Sequence, residues 1–101
     1  MICEIAQLEV TQGKEAEFRS AIDAAIPLFK RARGCQGLRV MRSEEFPSRY
    51  WLIVDWVSTE DHTVHFRTSP DHAEWHRLVR PFFSERPKVE HAEVIAESID
   101  P

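Results

Sequence analysis

R-Y-W-L-I-V-D-W-V, residues 49–57, is the stretch that decides the fold. It is rich in aromatic and β-branched residues, which predicts a strand from Tyr50 to Val57. One face of this strand is apolar or aromatic throughout, and the other is apolar except for Asp55. A strand with helices on one side and water on the other would alternate apolar and polar residues. We therefore expect both faces of this strand to be covered.

Two helix starts follow the strand. Ser58 precedes Asp61 at the spacing of a capping box, and Ser69-Pro70 combines an N-cap residue with proline at the first helical position. All three tryptophans and four of the five histidines lie between residues 49 and 81. A functional site, if the protein has one, is expected in this segment.

The remaining elements are predicted from hydrophobic periodicity. The predicted strands are residues 2–10, 37–43 and 88–97. A helix is predicted over residues 14–33. Pro27 should kink or break this helix, and Gly34 should cap its C-terminal end. The order β-α-β-β-α-β, with the second crossover split into two helices, is the ferredoxin-like pattern of the α+β class. We predict one domain over residues 1–101 with a four-stranded antiparallel sheet. The last residues of the chain, 98–101, are expected to fray.

Composition and charge limit the binding partners and the cellular location that we expect for this protein. The formal charge is −4 and the 13 Lys and Arg residues are scattered, which argues against nucleic acid as a main partner. The N-terminus, M-I-C-E-I-A, lacks the features of a signal peptide, and no run of apolar residues is long enough to span a membrane. We expect a cytoplasmic protein without a membrane partner. Cys3 and Cys35 are expected to be free thiols.

The second apolar face of the sheet needs a cover that a chain of 101 residues does not supply. A second copy of the sheet is the simplest cover, and twofold dimers are the commonest oligomers. The sequence therefore predicts a homodimer packed sheet on sheet.

The histidines form two spaced pairs. His62 and His65 are three residues apart on one predicted helix, and His72 and His76 are four apart on the next, so each pair shares a helix face. In H-A-E-W-H the glutamate stands one position later than in the zinc motif H-E-x-x-H. His91 is the only candidate for a third metal ligand. We predict no metal. The histidines are either ordinary surface or core residues, or proton-transfer groups in an apolar pocket walled by residues such as Phe66 and Trp75.

Three stretches together resemble one known family: T-Q-G-K-E-A-E-F from residue 11, G-C-Q-G-L-R-V from residue 34, and residues 49–70. They are similar in order and spacing to the antibiotic biosynthesis monooxygenase-like (ABM) family of the dimeric α/β-barrel superfamily, over residues 2 to about 94. This resemblance implies a ferredoxin-like dimer whose two sheets form a barrel. It also implies oxidation of flat phenolic, anthrone- or quinol-type molecules by O2, through ionisation of the substrate and without a metal or flavin cofactor.

The resemblance also implies site positions. Family sites use a tryptophan that ends the third strand, an asparagine four residues before it, a tyrosine six after it and an arginine twenty after it. In this sequence those positions are Trp56, Leu52, His62 and His76. We therefore expect Trp56, His62 and His76 as catalytic residues with support from His65, and Leu52, Phe66 and Trp75 in contact with the substrate.

Two alternatives remain open. The three substitutions in the family positions favour a non-catalytic dimeric barrel that binds a small apolar molecule or regulates a neighbouring enzyme. Haem-degrading relatives use an asparagine, a tryptophan and a haem-ligating histidine at positions that correspond to Ala6, His65 and Trp75. All three residues differ here, and His72 or His76 would have to ligate the iron instead.

Overall fold

The computed structural model describes residues 1–98 and has the α+β, ferredoxin-like architecture that the sequence predicts. The strands are β1 (Ile2–Glu9), β2 (Cys35–Arg42), β3 (Arg49–Trp56) and β4 (Lys88–Glu93). The helices are α1 (Glu15–Lys30), a π-helix (Asp61–Phe66) and α2 (Pro70–Val79), and a 3-10 turn (Arg80–Phe82) follows α2. The second crossover is thus split, as expected. Residues 99–101 of the predicted frayed end lie outside the described part of the chain.

The four strands form one antiparallel sheet in the order β2-β3-β1-β4. Ile2 pairs with Trp56, and Glu4 pairs with His91. Paired residues share a face of the sheet, and so do residues two apart on one strand. The register therefore places Trp56, Glu4 and His91 side by side on three neighbouring strands, on one face.

The helices cover that face and form the core with it. Phe18 and Phe29 of α1 are buried in one hydrophobic cluster with Leu52 and Val54 of β3. The opposite face carries Ile5, Trp51 and Ile53, which are half-buried in the single chain. No helix in residues 1–98 is long and apolar enough to cross a membrane.

Helix α1 runs unbroken through Pro27, so it does not break into two there, and the alternative of a kink stays a prediction. Pro27 cannot donate a hydrogen bond to the carbonyl of Asp23. Both residues are on the exposed side of the helix, where water can satisfy that carbonyl. The helix ends at Lys30, earlier than predicted, and β4 ends at Glu93 rather than at residue 97.

The predicted role of Gly34 as the cap of α1 is also wrong, because the C-cap is Arg31. Gly34 does adopt a left-handed conformation with φ of 79°. The absence of a side chain at Gly34 lets the Asp61 carboxylate approach the backbone, since a Cβ atom there would lie 2.0 Å from that carboxylate. Ser58 accepts a hydrogen bond from the Asp61 backbone at 3.2 Å, so the predicted cap at Ser58 is confirmed.

The predicted cap of α2 is confirmed as well. The Ser69 hydroxyl accepts a hydrogen bond from the backbone N–H of His72 at 3.2 Å, and Pro70 is the first helical residue. Two well-defined helix starts therefore hold the π-helix and α2 over the end of β3, where Trp56 lies.

Candidate active site

A buried carboxylate lies against Trp56. The indole Nε1–H of Trp56 donates to Glu4 Oε1 at 2.9 Å, and His62 Nε2 lies 3.4 Å from the same oxygen. Trp56 has no exposed surface, and Glu4 and His62 are 4% and 5% exposed. Buried charged groups need partners, and here one carboxylate oxygen faces both an indole and an imidazole.

The imidazole of His62 has a second neighbour. Its Nδ1 lies 2.8 Å from Nε2 of His91, the residue paired with Glu4 on β4. The His62 ring also stacks on Trp56, with ring centroids 5.5 Å apart and planes 16° apart. Both nitrogens of His62 therefore face polar groups of the same chain, and its ring stacks on the indole. We call Glu4, His62 and His91 the inner histidine site.

Burial shifts the two titratable groups in opposite directions. It raises the pKa of Glu4 to about 7, although the hydrogen bond from Trp56 and the charge of Arg67 act to lower it. Burial, together with the nearby His91, Arg67 and His72, lowers the pKa of His62 to about 4. Near neutral pH, His62 is neutral and Glu4 is close to its midpoint.

The π-helix sets the position of His62. The backbone N–H of Arg67 donates to the carbonyl of His62 at 3.1 Å, a bond one residue wider than in an α-helix. At its other end, the Asp61 backbone N–H donates to Ser58, and its carboxylate lies over Gly34 and 3.6 Å from the guanidinium of Arg33. These contacts anchor the residue that directly precedes His62.

The other predicted histidines lie further out. His65 is exposed on the π-helix. His76 is exposed on α2 and lies 4.8 Å, ring to ring, from the half-buried His72. His76 also lines a surface groove of about 490 Å³ beside Arg80 and Pro81. We call His72 and His76 the outer histidine pair, which does not converge on Trp56.

The three residues predicted to contact substrate are all buried in the core: Leu52, Phe66 and Trp75. Phe66 connects the two histidine groups, since its ring centroid is 5.6 Å from Trp56 and 5.5 Å from His72. Trp75 packs edge-on against Phe29 at 4.9 Å, farther from the inner histidine site. Among residues 1–98, no group of three or more His, Cys, Asp or Glu residues is arranged to hold a metal ion.

Sequence reasoning missed Glu4 and gave His91 only a passing role as a third metal ligand. The signal for Glu4 was present, because it is the single charged residue on a strand face that otherwise reads Ile2, Ala6, Leu8 and Val10. A lone carboxylate on an apolar face is expected to be buried and partnered. Its partners could not be read from sequence, since His62 and His91 are distant in the chain.

Comparison with known proteins places this chain in a family. Residues 1–78 match the sequence model described as Antibiotic biosynthesis monooxygenase. The chain belongs to the antibiotic biosynthesis monooxygenase family. An uncharacterised Bacillus subtilis protein, YczJ, is 35% identical over 91 residues, which cover 90% of this chain and 96% of that protein.

Solved structures agree with the family and the fold. A Bordetella bronchiseptica protein provisionally described as an antibiotic biosynthesis monooxygenase is 46% identical, with a TM-score of 0.92 over 94% of this chain and 97% of its own. SnoaB of Streptomyces nogalater, a cofactor-independent oxygenase, was solved as an asparagine-to-alanine mutant and superposes with a TM-score of 0.82. It is 16% identical over 95% of this chain and 94% of its own, so it supports the fold alone.

Proposed function

We propose that this ABM-family protein is a cofactor-independent monooxygenase that oxidises a flat phenolic, anthrone- or quinol-type molecule with O2 in the cytoplasm. The observation that carries the proposal is a neutral His62, buried between the indole of Trp56 and the carboxylate of Glu4. A neutral imidazole in an apolar setting can take up and return a proton near neutral pH. Family membership supports the general activity.

The chemistry needs a proton acceptor and an apolar enclosure. Ionisation of the substrate hydroxyl gives an electron-rich anion, which passes an electron to O2. The substrate radical and superoxide then combine to form a carbon–oxygen bond. Cleavage of the O–O bond, with return of the proton, releases water and leaves a quinone carbonyl. An anthrone and O2 thus give an anthraquinone and water, and the electrons lost by the ring carbon reduce both oxygen atoms.

Each predicted residue has a place in this reaction. Trp56 forms the wall and fixes His62 by stacking, and His62 handles the proton. Phe66, Leu52 and Trp75 form the apolar packing around the aromatic substrate. The exposed His76 and His65 orient the substrate at the entrance, and we expect them to contribute less to the rate than His62 does.

The test is O2 consumption with an anthrone or a hydroquinone as the probe, measured with an oxygen electrode. We expect His62→Gln to lower kcat by about 100-fold, in the range typical of lost acid–base catalysis, and His76→Gln to raise KM by less than about tenfold. Circular dichroism and thermal unfolding check that each variant is folded. Unchanged rates in both variants would remove these histidines from the mechanism.

A non-catalytic binding module is the second candidate, and close packing favours it. Trp56, Phe66 and Leu52 have almost no exposed surface, so a ligand can reach them only if side chains move aside. A thermal shift on addition of an anthrone without O2 consumption would support binding over turnover. A Soret band that appears on titration with haem would instead indicate a haem-binding variant.

We further propose that the protein acts as a homodimer packed sheet on sheet. The half-buried Ile5, Trp51 and Ile53 on the open face support this arrangement, because a second copy of the sheet would bury them. Size-exclusion chromatography with light scattering at micromolar concentration should give a dimer, and Trp51→Glu should shift it towards a monomer. Phe46→Glu, at an exposed turn outside the sheet, is the control. A monomeric wild type would refute the dimer.

A further inference from the structure

We propose that His91, His62 and Glu4 form a proton relay that moves the substrate's hydroxyl proton into the protein interior. In this relay His91 receives the proton and Glu4 is the buried group that gains one. The proposal rests on the proposed function and adds to it two residues outside the four family positions. It also assigns a direction to the proton transfer, from His91 through His62 to Glu4.

The geometry of three elements carries the proposal. His91 Nε2 lies 2.8 Å from His62 Nδ1, and His62 Nε2 lies 3.4 Å from Glu4 Oε1. The first contact is a hydrogen bond. The second is a close approach that has to tighten into a hydrogen bond when substrate binds, as catalytic contacts often do. Trp56 donates to the same Glu4 oxygen at 2.9 Å and thereby fixes the end of the path.

His62 cannot act alone in this arrangement. A neutral imidazole has one N–H and one lone pair, and both nitrogens of His62 already face groups of the same chain. A substrate proton therefore has no free nitrogen on His62 to bind. His91 is half-buried, and its Nε2 faces His62. Its other ring nitrogen, Nδ1, is therefore the one that receives the proton of the substrate in this proposal.

The transfer consists of linked proton shifts. His91 gains a proton at Nδ1 and passes its Nε2 proton to His62 Nδ1. His62 then passes its Nε2 proton to the Glu4 carboxylate. No covalent bond between heavy atoms changes, and both imidazoles end as the opposite tautomer. The protonation of Glu4 thus determines the tautomers of His62 and His91.

The charges around the path favour this transfer. The substrate becomes an anion as Glu4 becomes neutral, so the number of negative charges in the buried site does not change. Burial gives Glu4 a pKa of about 7, which makes it a stronger base than an ordinary carboxylate. The groups on neighbouring elements that interact electrostatically with Glu4 or His62 are Arg67 after the π-helix, His72 on α2 and the Cys35 thiol on β2.

The first experiment needs no substrate. In uniformly ¹⁵N-labelled protein, the ring nitrogens of His62 and His91 report which nitrogen carries the proton. Between pH 5.5 and 9 we expect the protonated and unprotonated signals of His62 to interchange, with a midpoint near that of Glu4. Glu4→Gln should abolish the interchange, whereas Glu90→Gln, an exposed carboxylate on β4, should leave it intact.

The second experiment uses turnover. The relay needs ionised Glu4, so kcat/KM should rise as the pH rises through about 7. Glu4→Gln and His91→Gln should each lower the rate by about tenfold or more and remove that rise, while Glu90→Gln should keep it. A tautomer interchange without any O2 consumption would refute the proposed oxidation and retain the relay. Tautomers that stay fixed with pH in the wild type would overturn the relay, even in an active enzyme.

Discussion

Two groups of histidines lie at similar ring distances in this molecule but in different surroundings. His62 and His91 are 5.0 Å apart, ring to ring, and His72 and His76 are 4.8 Å apart. The inner site is built from residues distant in sequence, and it touches the buried carboxylate of Glu4. The outer pair is one helical turn apart on α2, and His76 is exposed.

The comparison shows that surroundings, rather than proximity, give a histidine pair its chemistry. The inner site has a carboxylate, an indole and little solvent, so the pKa values of Glu4 and His62 lie far from their usual ones. In the outer pair, burial and the nearby His76 also lower the pKa of His72, but no carboxylate is hydrogen-bonded to either ring among the described contacts. Proton storage is therefore assigned to the inner site. Three substitutions sharpen or break this comparison.

Removal of the Phe66 ring, which lies between the inner histidine site and the outer histidine pair, should have the largest effect on stability. Phe66→Ala deletes a buried ring that contacts both Trp56 and His72, and it should lower the free energy of unfolding by about 3 to 5 kcal/mol. Water would then reach His62 and raise its pKa towards the ordinary value. Urea denaturation measures the first effect, and NMR titration of the histidine rings measures the second.

The matched control is Phe46→Ala, because Phe46 is exposed and its ring contacts only the guanidinium of Arg49 among the described aromatic and cation contacts. It should cost less than about 1 kcal/mol. If Phe66→Ala fails to fold, Phe66→Leu keeps most of the packing and still tests the pKa of His62. An unchanged pKa of His62 in a folded Phe66 variant would contradict the role given to burial.

The next effect comes from Glu4→Gln, measured against pH. The folded-state pKa of Glu4, about 7, lies above the 4.5 of the unfolded chain, so burial of Glu4 costs stability progressively as the pH rises from about 4.5 to 7. Glutamine keeps the shape and has no such cost. Relative to wild type, the variant should gain about 2 to 3 kcal/mol between pH 5 and pH 9. Urea denaturation at both pH values measures this gain.

His62 contributes to the wild type and to Glu4→Gln alike, so the difference between them isolates Glu4. Burial lowers the pKa of His62, and that histidine therefore costs stability as the pH falls through its unfolded value towards about 4. Glu90→Gln serves as the control and should show no pH-dependent gain. A constant difference between Glu4→Gln and wild type at every pH would mean that Glu4 titrates normally.

The smallest effect is expected in the outer pair. His76→Gln removes the titratable neighbour that helps to lower the pKa of His72, so that pKa should rise, although burial, the larger cause of its lowering, remains. The histidine ring signals in NMR would show this change directly. The inner site should keep its own titration in the same variant. A shift of the Glu4 midpoint on this substitution would show that the two groups are coupled and break the distinction drawn here.

The sequence predicted the fold well because its signals were local. Strand β3, the caps at Ser58 and Ser69 and the spacing of helix α1 each depend on neighbouring residues. Errors arose where a distant contact decided the outcome. Gly34 was expected to cap a helix, but its conformation serves a close approach by Asp61 from another part of the chain.

The site was predictable only in part, for the same reason. Trp56 and His62 were expected together, and they stack. His76 was also expected as a catalytic residue, from the family pattern, with its distance from them left open, and it is exposed on α2. Glu4 and His91 meet through the pairing of β1 with β4, which is a long-range feature that spacing does not encode.

The most direct test of the inner histidine site is the NMR signal of the Trp56 indole N–H, followed from pH 5 to pH 9. Three tryptophans give three such signals, and Trp56→Phe identifies the one that reports on Glu4. We predict that this signal shifts with a midpoint near pH 7 and that the shift disappears in Glu4→Gln. A signal that stays constant across this range, or that keeps its shift in Glu4→Gln, would contradict a buried, titrating Glu4.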